Sequence, residues 1–223
     1  MALSTGAPLG GNGARGARPT ALRALEDDLL ARGLRHIAGV DEAGRGPLAG
    51  PVVAAAVILP PGVIIEGVDD SKRLSPEVRE DLAEEIRRRA LACAVGAAST
   101  AEVDRFNILR ATHLAMRRAV NRLPVEPEHL IVDGLHVPLL GEAQTAVIDG
   151  DRLVHSVACA SILAKVTRDR LMRRLAVRYP AYGWERNAGY GTPQHRDALE
   201  RFGPTPHHRR SFAPVQLTLD LFS

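Results

Sequence analysis

Residues 37–59 hold two short apolar segments joined by a glycine-rich turn, with two acidic residues at the end of the first segment. Both segments are rich in β-branched residues and bounded by glycine or proline, which predicts buried β-strands over 37–40 and 52–59. Asp41 and Glu42 follow the first strand directly. Carboxylates at the end of a core strand are costly to bury without a partner. They are therefore either solvated at the strand end or paired with a ligand.

The turn after these acids favours a ligand over simple solvation. Its sequence is Gly44-Arg45-Gly46-Pro47; glycine lets backbone groups approach a ligand closely, and arginine is well suited to phosphate. Carboxylates beside such a turn indicate a divalent metal ion that bridges them to a phosphate. A dinucleotide-binding fingerprint is excluded, because its glycines must follow a strand, open a helix and precede the acid. No phosphate-binding loop of the G-x-x-x-x-G-K-[ST] type occurs.

Length, charge and cysteine content set broad limits. A chain of 223 residues is long enough for one sizeable domain, and a net charge of +3 permits a nucleic-acid partner without requiring one. No apolar segment reaches the ~18 residues of a membrane-spanning helix, so we expect no membrane association. Cys93 and Cys159 lie in small apolar segments, which predicts buried free thiols and a cytoplasmic location. Residues 1–20 are glycine-rich and free of acids, so we expect a disordered tail, with a transit peptide as the alternative.

Hydrophobic periodicity predicts strands and helices along the rest of the chain. Helices are expected at 20–32, 75–90, 108–123, 155–180 and 193–202, with a short helix after Ser99 or Thr100. Strands are expected at 91–98, 129–133 and 144–148. This order of elements fits one α/β domain with a mixed central sheet over residues 21–214. The strand at 129–133 ends in Asp133-Gly134 and so repeats the acid and glycine of the first strand.

Four stretches resemble the type 2 ribonucleases H (the ribonuclease HII family). DEAGRGPLAGPVVAAAV at 41–57 resembles the family signature; Asp70-Ser71-Lys72, SILAKVTRD at 161–169 and the glycine-flanked Tyr190 match further motifs in order. The resemblance covers roughly residues 34–214. It implies a ribonuclease H-like fold, with a central mixed sheet flanked by helices and a helical C-terminal extension. It also implies a metal-dependent endonuclease that hydrolyses the RNA strand of RNA–DNA hybrids and cuts 5′ to ribonucleotides embedded in duplex DNA.

The resemblance also implies the roles of individual residues. The catalytic and metal-binding carboxylates would be Asp41, Glu42, Asp133 and Asp151. The residues in contact with the substrate would be Gly44, Arg45, Gly46, Lys72, Ser161, Lys165 and Tyr190. The backbone of the turn would read the 2′-hydroxyl, and the tyrosine ring would stack on the neighbouring deoxy sugar. Asp149 is the alternative to Asp151, and Leu135-His136 departs from the family, which usually has a basic residue there.

The expected donor set consists of carboxylates without a Cys or His cluster. Such hard oxygen ligands select Mg²⁺ or Mn²⁺ over zinc. A site of this type holds two ions ~3.5–4 Å apart, of which one activates water and the other stabilises the leaving oxygen. The expected products carry a 3′-hydroxyl and a 5′-phosphate. Asp41 and Glu42 raise a geometric difficulty, because neighbours on a regular strand point to opposite faces. We therefore expect the strand to end or bend at this pair.

The C-terminal third allows more than one interpretation. His207-His208-Arg209-Arg210 indicates a phosphate contact or a plain basic loop, and Asp169 is expected to pair with Arg168 or Arg173. Residues 215–223 are expected to form a flexible tail, in which alternating leucines fit an edge strand or a fraying helix. This tail also resembles the peptide by which bacterial replication and repair proteins bind the sliding clamp. Its contacts would be Gln216, Leu219, Leu221 and Phe222.

Two kinds of alternative function stay open from the sequence. A junction resolvase or a type 3 ribonuclease H would have the same fold, although DEAGRG and Tyr190 favour type 2. A catalytically inactive module that only binds hybrids would have lost an acid, whereas all four are present. The protein is expected to act as a monomer.

Overall fold

A mixed five-stranded sheet forms the centre of the molecule, for which the computed structural model describes residues 21–68 and 74–219. The strands are β1 (Ile37–Ala43), β2 (Val52–Ile58), β3 (Ala92–Ala98), β4 (His129–Asp133) and β5 (Gln144–Val147). Their spatial order is β3-β2-β1-β4-β5. β1 pairs antiparallel with β2 and parallel with β4, so it is the central strand. The predicted mixed α/β fold is confirmed.

Helices cover both faces of this sheet and form the C-terminal part of the chain. They are α1 (Ala24–Ala31), α2 (Pro76–Arg89), α3 (Thr100–Val120), α4 (Gly150–Leu153), α5 (His155–Arg178), α6 (Trp184–Asn187), α7 (Pro193–Phe202) and α8 (Ala213–Leu219). α3 packs on one face, where Ala111 and Ala115 meet alternate strand residues such as Val40. α2 and α5 pack on the opposite face, against the other set of alternate residues, such as Val57. The central strands are apolar on both faces for this reason.

α5 lies directly on β1 because a glycine leaves no side chain between them. A Cβ atom on Gly39 would lie 2.3 Å from the carbonyl carbon of Ser156 and 2.4 Å from the amide nitrogen of Val157. Both atoms belong to the helix backbone, which could make room only by moving the whole helix. The first turn of α5 therefore has a fixed position over β1, and this position carries later residues of the helix to the site described below.

α3 is broken at Asn107, between the two helices that the sequence predicts. Asn107 has φ 69° and ψ 167°, and its side-chain oxygen accepts a hydrogen bond from the Arg110 amide at 3.1 Å. It thereby caps the second half of α3. Ser99 caps the first half in a reciprocal pair of hydrogen bonds with Glu102. The short helix after Ser99 and the longer one from residue 108 are both present.

The helical C-terminal part packs around Trp184. This side chain is fully buried together with Leu199 and Val215. Its indole N–H donates to His195 Nε2 at 3.1 Å, and His208 Nε2 lies 2.9 Å from the same nitrogen. The buried polar groups of this part are therefore paired with one another, as burial requires.

Two expectations about the C-terminal region need correction. His208 and Arg209 are 1% and 0% exposed, so these two residues are not open to phosphate, whereas Arg210 is exposed as expected. The chain is helical through Leu219, and Val215 is fully buried, so the start expected for the flexible tail lies inside α8. Other expectations fall outside the described residues, namely those on 1–20, Lys72, Leu221 and Phe222.

The described residues bear on two further expectations. None of their helices is long and apolar enough to cross a membrane. Cys93 and Cys159 are both free thiols, and Cys159 is buried. Burial raises the pKa of the Cys159 thiol, which makes it a poor nucleophile at neutral pH.

Candidate active site

A cleft of about 500 Å³ opens where β1 and β4 part. Their parallel pairing ends at Val40 and Val132, and the next residues on the two strands are Asp41 and Asp133. The cleft is lined by Asp41, Glu42, Ala43, Gly44, Arg45, Gly46, Arg79, Asp133, Asp151, Ser161, Lys165, Arg168 and Tyr190. Apart from Lys72 and the four residues of the clamp peptide, the cleft thus brings together every site residue expected from the sequence.

Three carboxylates converge at the base of the cleft. Oxygen atoms of Asp41, Glu42 and Asp133 all lie within 4.8 Å of one another. Asp41 is only 4% exposed; desolvation and the charges of Glu42 and Asp133 raise the pKa of its carboxyl well above its usual range. Burial also raises the pKa of Glu42, although Arg45 opposes this effect. The group is thus an excess of buried negative charge, which a bound cation would neutralise.

Asp41 and Glu42 reach the same side although the strand continues past them. β1 runs to Ala43, with Asp41 opposite Ala55 and Glu42 opposite Ala54 in the ladder with β2, so the strand ends one residue past this pair, directly before the glycine-rich turn. The Glu42 amide donates to Asp41 Oδ1 at 2.6 Å, and it also hydrogen-bonds the Glu42 carboxylate. Both side chains therefore turn towards the Glu42 amide. This amide lies beyond the last residue pair of the ladder between β1 and β4.

The second pair of acids comes from β4 and α4. Asp133 Oδ1 accepts a hydrogen bond of 2.7 Å from the Gly150 amide, which fixes the orientation of its carboxylate. Asp151 is buried and lines the cleft, whereas Asp149 is exposed and adopts a left-handed backbone conformation with φ 55°. Asp151 rather than Asp149 is therefore the acid beside the other three.

α5 contributes a hydroxyl and a cation to the cleft. The Ser161 side chain hydrogen-bonds the Asp41 carboxylate, which lowers the pKa of that acid against the larger effects of burial. Lys165 Nζ lies 2.8 Å from Asp169 Oδ1, one helical turn further on. Asp169 forms its ion pairs with Lys165 and, at 4.0 Å, with Arg79 rather than with the expected Arg168 or Arg173, although its charge raises the pKa of Arg168 against the larger effect of burial.

The turn and Tyr190 form the opposite wall. Gly44 has φ +94°, and a Cβ atom there would lie 1.9 Å from Arg168 Nε, so only glycine fits. Arg45 Nη1 lies 3.2 Å from Glu42 Oε1, with half of its side chain exposed. Tyr190 is 47% exposed, and a Cβ atom on Gly46 would lie 3.6 Å from its ring. An exposed aromatic ring therefore stands next to an open stretch of backbone.

Two arginines in the cleft were not singled out as site residues from the sequence. Arg79 of α2 lines the cleft, and Arg168 of α5 lies below the turn with 1% exposure. No local signal distinguishes Arg168 from the exposed basic residues of the same helix, such as Arg173 and Arg174. The helical spacing that places it on the inner face is visible only once the packing of α5 is known.

The donor set fits a divalent metal ion. All members of the 4.8 Å group are carboxylate oxygens, the hard ligands that Mg²⁺ and Mn²⁺ prefer, and the described part of the chain adds neither His nor Cys to it. The excess buried charge around Asp41 is the second observation that favours a cation. Acids, a flanking turn and cationic side chains together form a site suited to phosphodiester chemistry.

Comparison with known proteins identifies the family. The family model for ribonuclease HII matches residues 38–215. Ribonuclease HII of Geobacillus kaustophilus is 56% identical over 198 residues, which are 89% of this chain and 76% of that protein.

Solved structures give the same result. Ribonuclease H2 from Pyrococcus horikoshii superposes with a TM-score of 0.72 at 29% identity, over 84% of this chain and 98% of that one. A PCNA:RNase HII complex from Archaeoglobus fulgidus matches with a TM-score of 0.67 at 30% identity, over 79% and 95%. This chain therefore belongs to the ribonuclease HII family and is a ribonuclease H endonuclease of type 2.

Proposed function

We propose that this protein hydrolyses the RNA strand of RNA–DNA hybrids and cuts duplex DNA on the 5′ side of an embedded ribonucleotide. The products carry a 3′-hydroxyl and a 5′-phosphate, and the activity serves ribonucleotide removal during DNA replication and repair. One observation carries the proposal: the carboxylates of Asp41, Glu42 and Asp133 lie within 4.8 Å of one another, beside the turn at 44–46 and the exposed ring of Tyr190.

The metal-binding residues in this proposal are Asp41, Glu42, Asp133 and Asp151. They would hold Mg²⁺ or Mn²⁺, with two ions per site, since four carboxylates carry enough charge for two divalent cations. When bound there, such ions would supply positive charge to activate a water molecule and to stabilise the leaving oxygen. Asp133 keeps one oxygen on the Gly150 amide and offers the other to the metal. Ser161 holds the Asp41 carboxylate in place.

Selectivity for a ribonucleotide requires a contact with the 2′-hydroxyl, the group that distinguishes RNA from DNA. The backbone of the turn at 44–46 is the candidate, because its glycines leave main-chain groups open at the cleft. Tyr190 then packs its ring on the neighbouring deoxy sugar. Arg45, Lys165 and the motif residue Lys72 contact the phosphates that flank the cut.

A substrate panel tests this function. The substrates are a duplex with one ribonucleotide, an RNA–DNA hybrid, an all-DNA duplex and a four-way DNA junction, each with Mg²⁺ or Mn²⁺. We expect cutting of the first two alone, and loss of all cutting in Asp133→Asn. Cutting of the junction alone would mean that the proposed substrate is wrong, and binding without cutting would indicate an inactive hybrid-binding module.

We further infer that the C-terminal segment contacts a sliding clamp through Gln216, Leu219, Leu221 and Phe222. The Archaeoglobus fulgidus relative is known in complex with PCNA, which supports a clamp as partner. Gln216 is exposed on α8, whereas Val215 is fully buried, so the segment starts from a fixed base. Apolar anchors on a short terminal peptide suit an apolar groove.

A variant pair tests the clamp contact. The double substitution Leu221→Ala and Phe222→Ala should abolish co-purification with the bacterial clamp and leave cleavage of a short duplex unchanged. The control is Leu217→Ala on α8, whose side chain is 69% exposed. Equal clamp binding by the double variant and the wild type would contradict the inference.

We also expect the protein to be a monomer and to work in the cytoplasm. Size-exclusion chromatography tests the first expectation, and cell fractionation tests the second.

A further inference from the structure

Two buried arginines lie beneath the turn at residues 44–46. Arg168 and Arg209 are 1% and 0% exposed. Within the described residues, these guanidinium groups donate their hydrogen bonds to main-chain carbonyl oxygens and not to carboxylates. Burying a cation without a carboxylate partner costs stability, which points to a role in fixing the geometry of the backbone that it binds.

Arg209 binds the two peptide groups at the tip of the turn. Its Nη2 donates to the Gly44 carbonyl at 2.5 Å, and its Nη1 donates to the Arg45 carbonyl at 2.8 Å. Nε and Nη2 also bind the Gly50 carbonyl, at 3.1 and 2.9 Å. One planar guanidinium therefore holds both ends of the loop between Gly44 and Gly50. Because Arg209 is buried, the carbonyls of Gly44 and Arg45 point into the protein.

The N–H groups of these two peptide units face the cleft, as the geometry of the peptide bond shows. In a planar trans peptide the N–H of one residue points away from the carbonyl of the residue before it. With the Gly44 and Arg45 carbonyls turned inward, the N–H groups of Arg45 and Gly46 turn outward, on the side where these residues line the cleft. Two adjacent outward amides form a donor pair for an oxygen ligand.

Arg168 fixes the distance from this turn to Tyr190. Its guanidinium donates to the Ala49 carbonyl at 3.1 Å and to the Ala188 carbonyl at 2.9 Å, so it links the two loops. The Leu48 amide adds a hydrogen bond of 2.8 Å to the Gly189 carbonyl. Burial and, to a smaller extent, the adjacent Arg168 charge lower the pKa of Arg209 to about 9, so the guanidinium is still charged at neutral pH.

We propose that Arg209 is a positioning residue for ribonucleotide recognition, which aims the amides of Arg45 and Gly46 at the 2′-hydroxyl. The inference rests on the proposed role of the turn and adds the device that sets its geometry. Lysine in this position keeps the charge but lacks the planar fork that reaches three carbonyls at once. Arg209→Lys therefore separates the geometric role from the charge.

The test compares Arg209→Lys with a variant that weakens the same region elsewhere. Tyr182→Phe removes a buried hydrogen bond of 2.6 Å to the Gly203 carbonyl, away from the turn. Steady-state cleavage of a duplex with one ribonucleotide is measured below the melting range of each variant. Duplex binding is measured by fluorescence anisotropy in an Asp133→Asn background, with one ribonucleotide or none. We expect Arg209→Lys to lose at least tenfold in kcat/KM and at least fivefold in preference for the ribonucleotide duplex. Tyr182→Phe should keep both within twofold.

Asp104→Ala serves as a second, milder variant if Arg209→Lys does not fold. Asp104 accepts hydrogen bonds from the amides of Arg210 and Ser211, at 3.1 and 2.9 Å, and so anchors the segment that carries Arg209. We expect it to lower the ribonucleotide preference at least threefold. An unchanged preference in the folded variant, with wild-type protein active in the same assay, would overturn this inference alone. Absence of cutting by the wild type would instead overturn the proposed function.

Discussion

Asp41→Asn should stabilise the metal-free protein while abolishing its activity. The side chain is 4% exposed, and its oxygens lie within 4.8 Å of those of Glu42 and Asp133. At this distance two like charges repel by about 3 kcal/mol for an effective dielectric constant of about 20. Asparagine has almost the same shape and removes one of the three charges. Desolvation of the Asp41 carboxylate, the largest cause of its raised pKa, is removed as well.

The net gain in stability of Asp41→Asn is smaller than the sum of these effects for two reasons. The raised pKa lets the wild-type carboxyls bind protons and so lose part of their repulsion, and Arg45 already faces Glu42. We expect the free energy of unfolding to rise by about 1 to 3 kcal/mol in EDTA at pH 8, which corresponds to a rise in Tm of about 2 to 12 °C for a chain of this size. Bound metal should make the wild type more stable than Asp41→Asn. Ions at about 100 times their Kd stabilise the wild type by about 2.7 kcal/mol, whereas Asp41→Asn loses most of this gain.

Thermal unfolding followed by circular dichroism, in EDTA and in Mg²⁺, measures both effects. Asp197→Asn is the matched control, since it makes the same charge change at an exposed position on α7 and should alter stability by less than about 0.5 kcal/mol. A lower Tm for Asp41→Asn than for the wild type in EDTA would refute the argument from buried charge. An equal response of both proteins to Mg²⁺ would refute the assignment of Asp41 as a ligand.

Three further predictions follow from single residues. Burial lowers the pKa of His155 from 6.5 to about 4. The stability that the buried neutral imidazole contributes is therefore fully present above pH 6.5 and is lost as the pH falls towards 4. Urea unfolding should show that His155→Gln reduces the loss of stability between pH 7.5 and 5.0 by about 2 kcal/mol. Tyr190→Ala should lower kcat/KM on a single-ribonucleotide duplex about tenfold, and Tyr190→Phe, which keeps the ring, should retain it. Asp151→Asn should reduce cleavage by at least a hundredfold, while Asp149→Asn, at the exposed neighbouring acid, should cleave like the wild type; similar rates for the two variants would contradict the assignment.

The parts of the site that sequence predicted are those with a local signature. An apolar strand that ends in an acid and a glycine-rich turn is visible from a few adjacent residues, and this pattern located Asp41, Glu42 and Asp133. Two helices in this part of the chain were also predicted, because Ser99 or Thr100 can cap a short first helix and a second apolar pattern begins at Ile108; the break between them lies at Asn107. The interaction of Lys165 with Asp169 has a local signal as well, since the two residues are four positions apart on a helix.

The parts that sequence did not predict depend on which side chains the tertiary packing buries. Arg209 and His208 belong to a segment that is basic and polar in composition, yet both are buried. His208 packs against the rings of Tyr182 and Trp184, and Arg209 lies beneath the loop between Gly44 and Gly50. Composition alone favours solvent exposure for such a segment. The position of Arg168 under the turn likewise depends on the close approach of α5 to Gly39, which is a contact distant in sequence.

The most direct test of the account is cleavage of a DNA duplex that carries one ribonucleotide, in Mg²⁺, in Mn²⁺ and in EDTA, with the product ends determined. The account predicts a single cut on the 5′ side of the ribonucleotide, with 3′-hydroxyl and 5′-phosphate ends, only when a divalent ion is present. Cutting that persists in EDTA, or a cut that is independent of the 2′-hydroxyl, would contradict it.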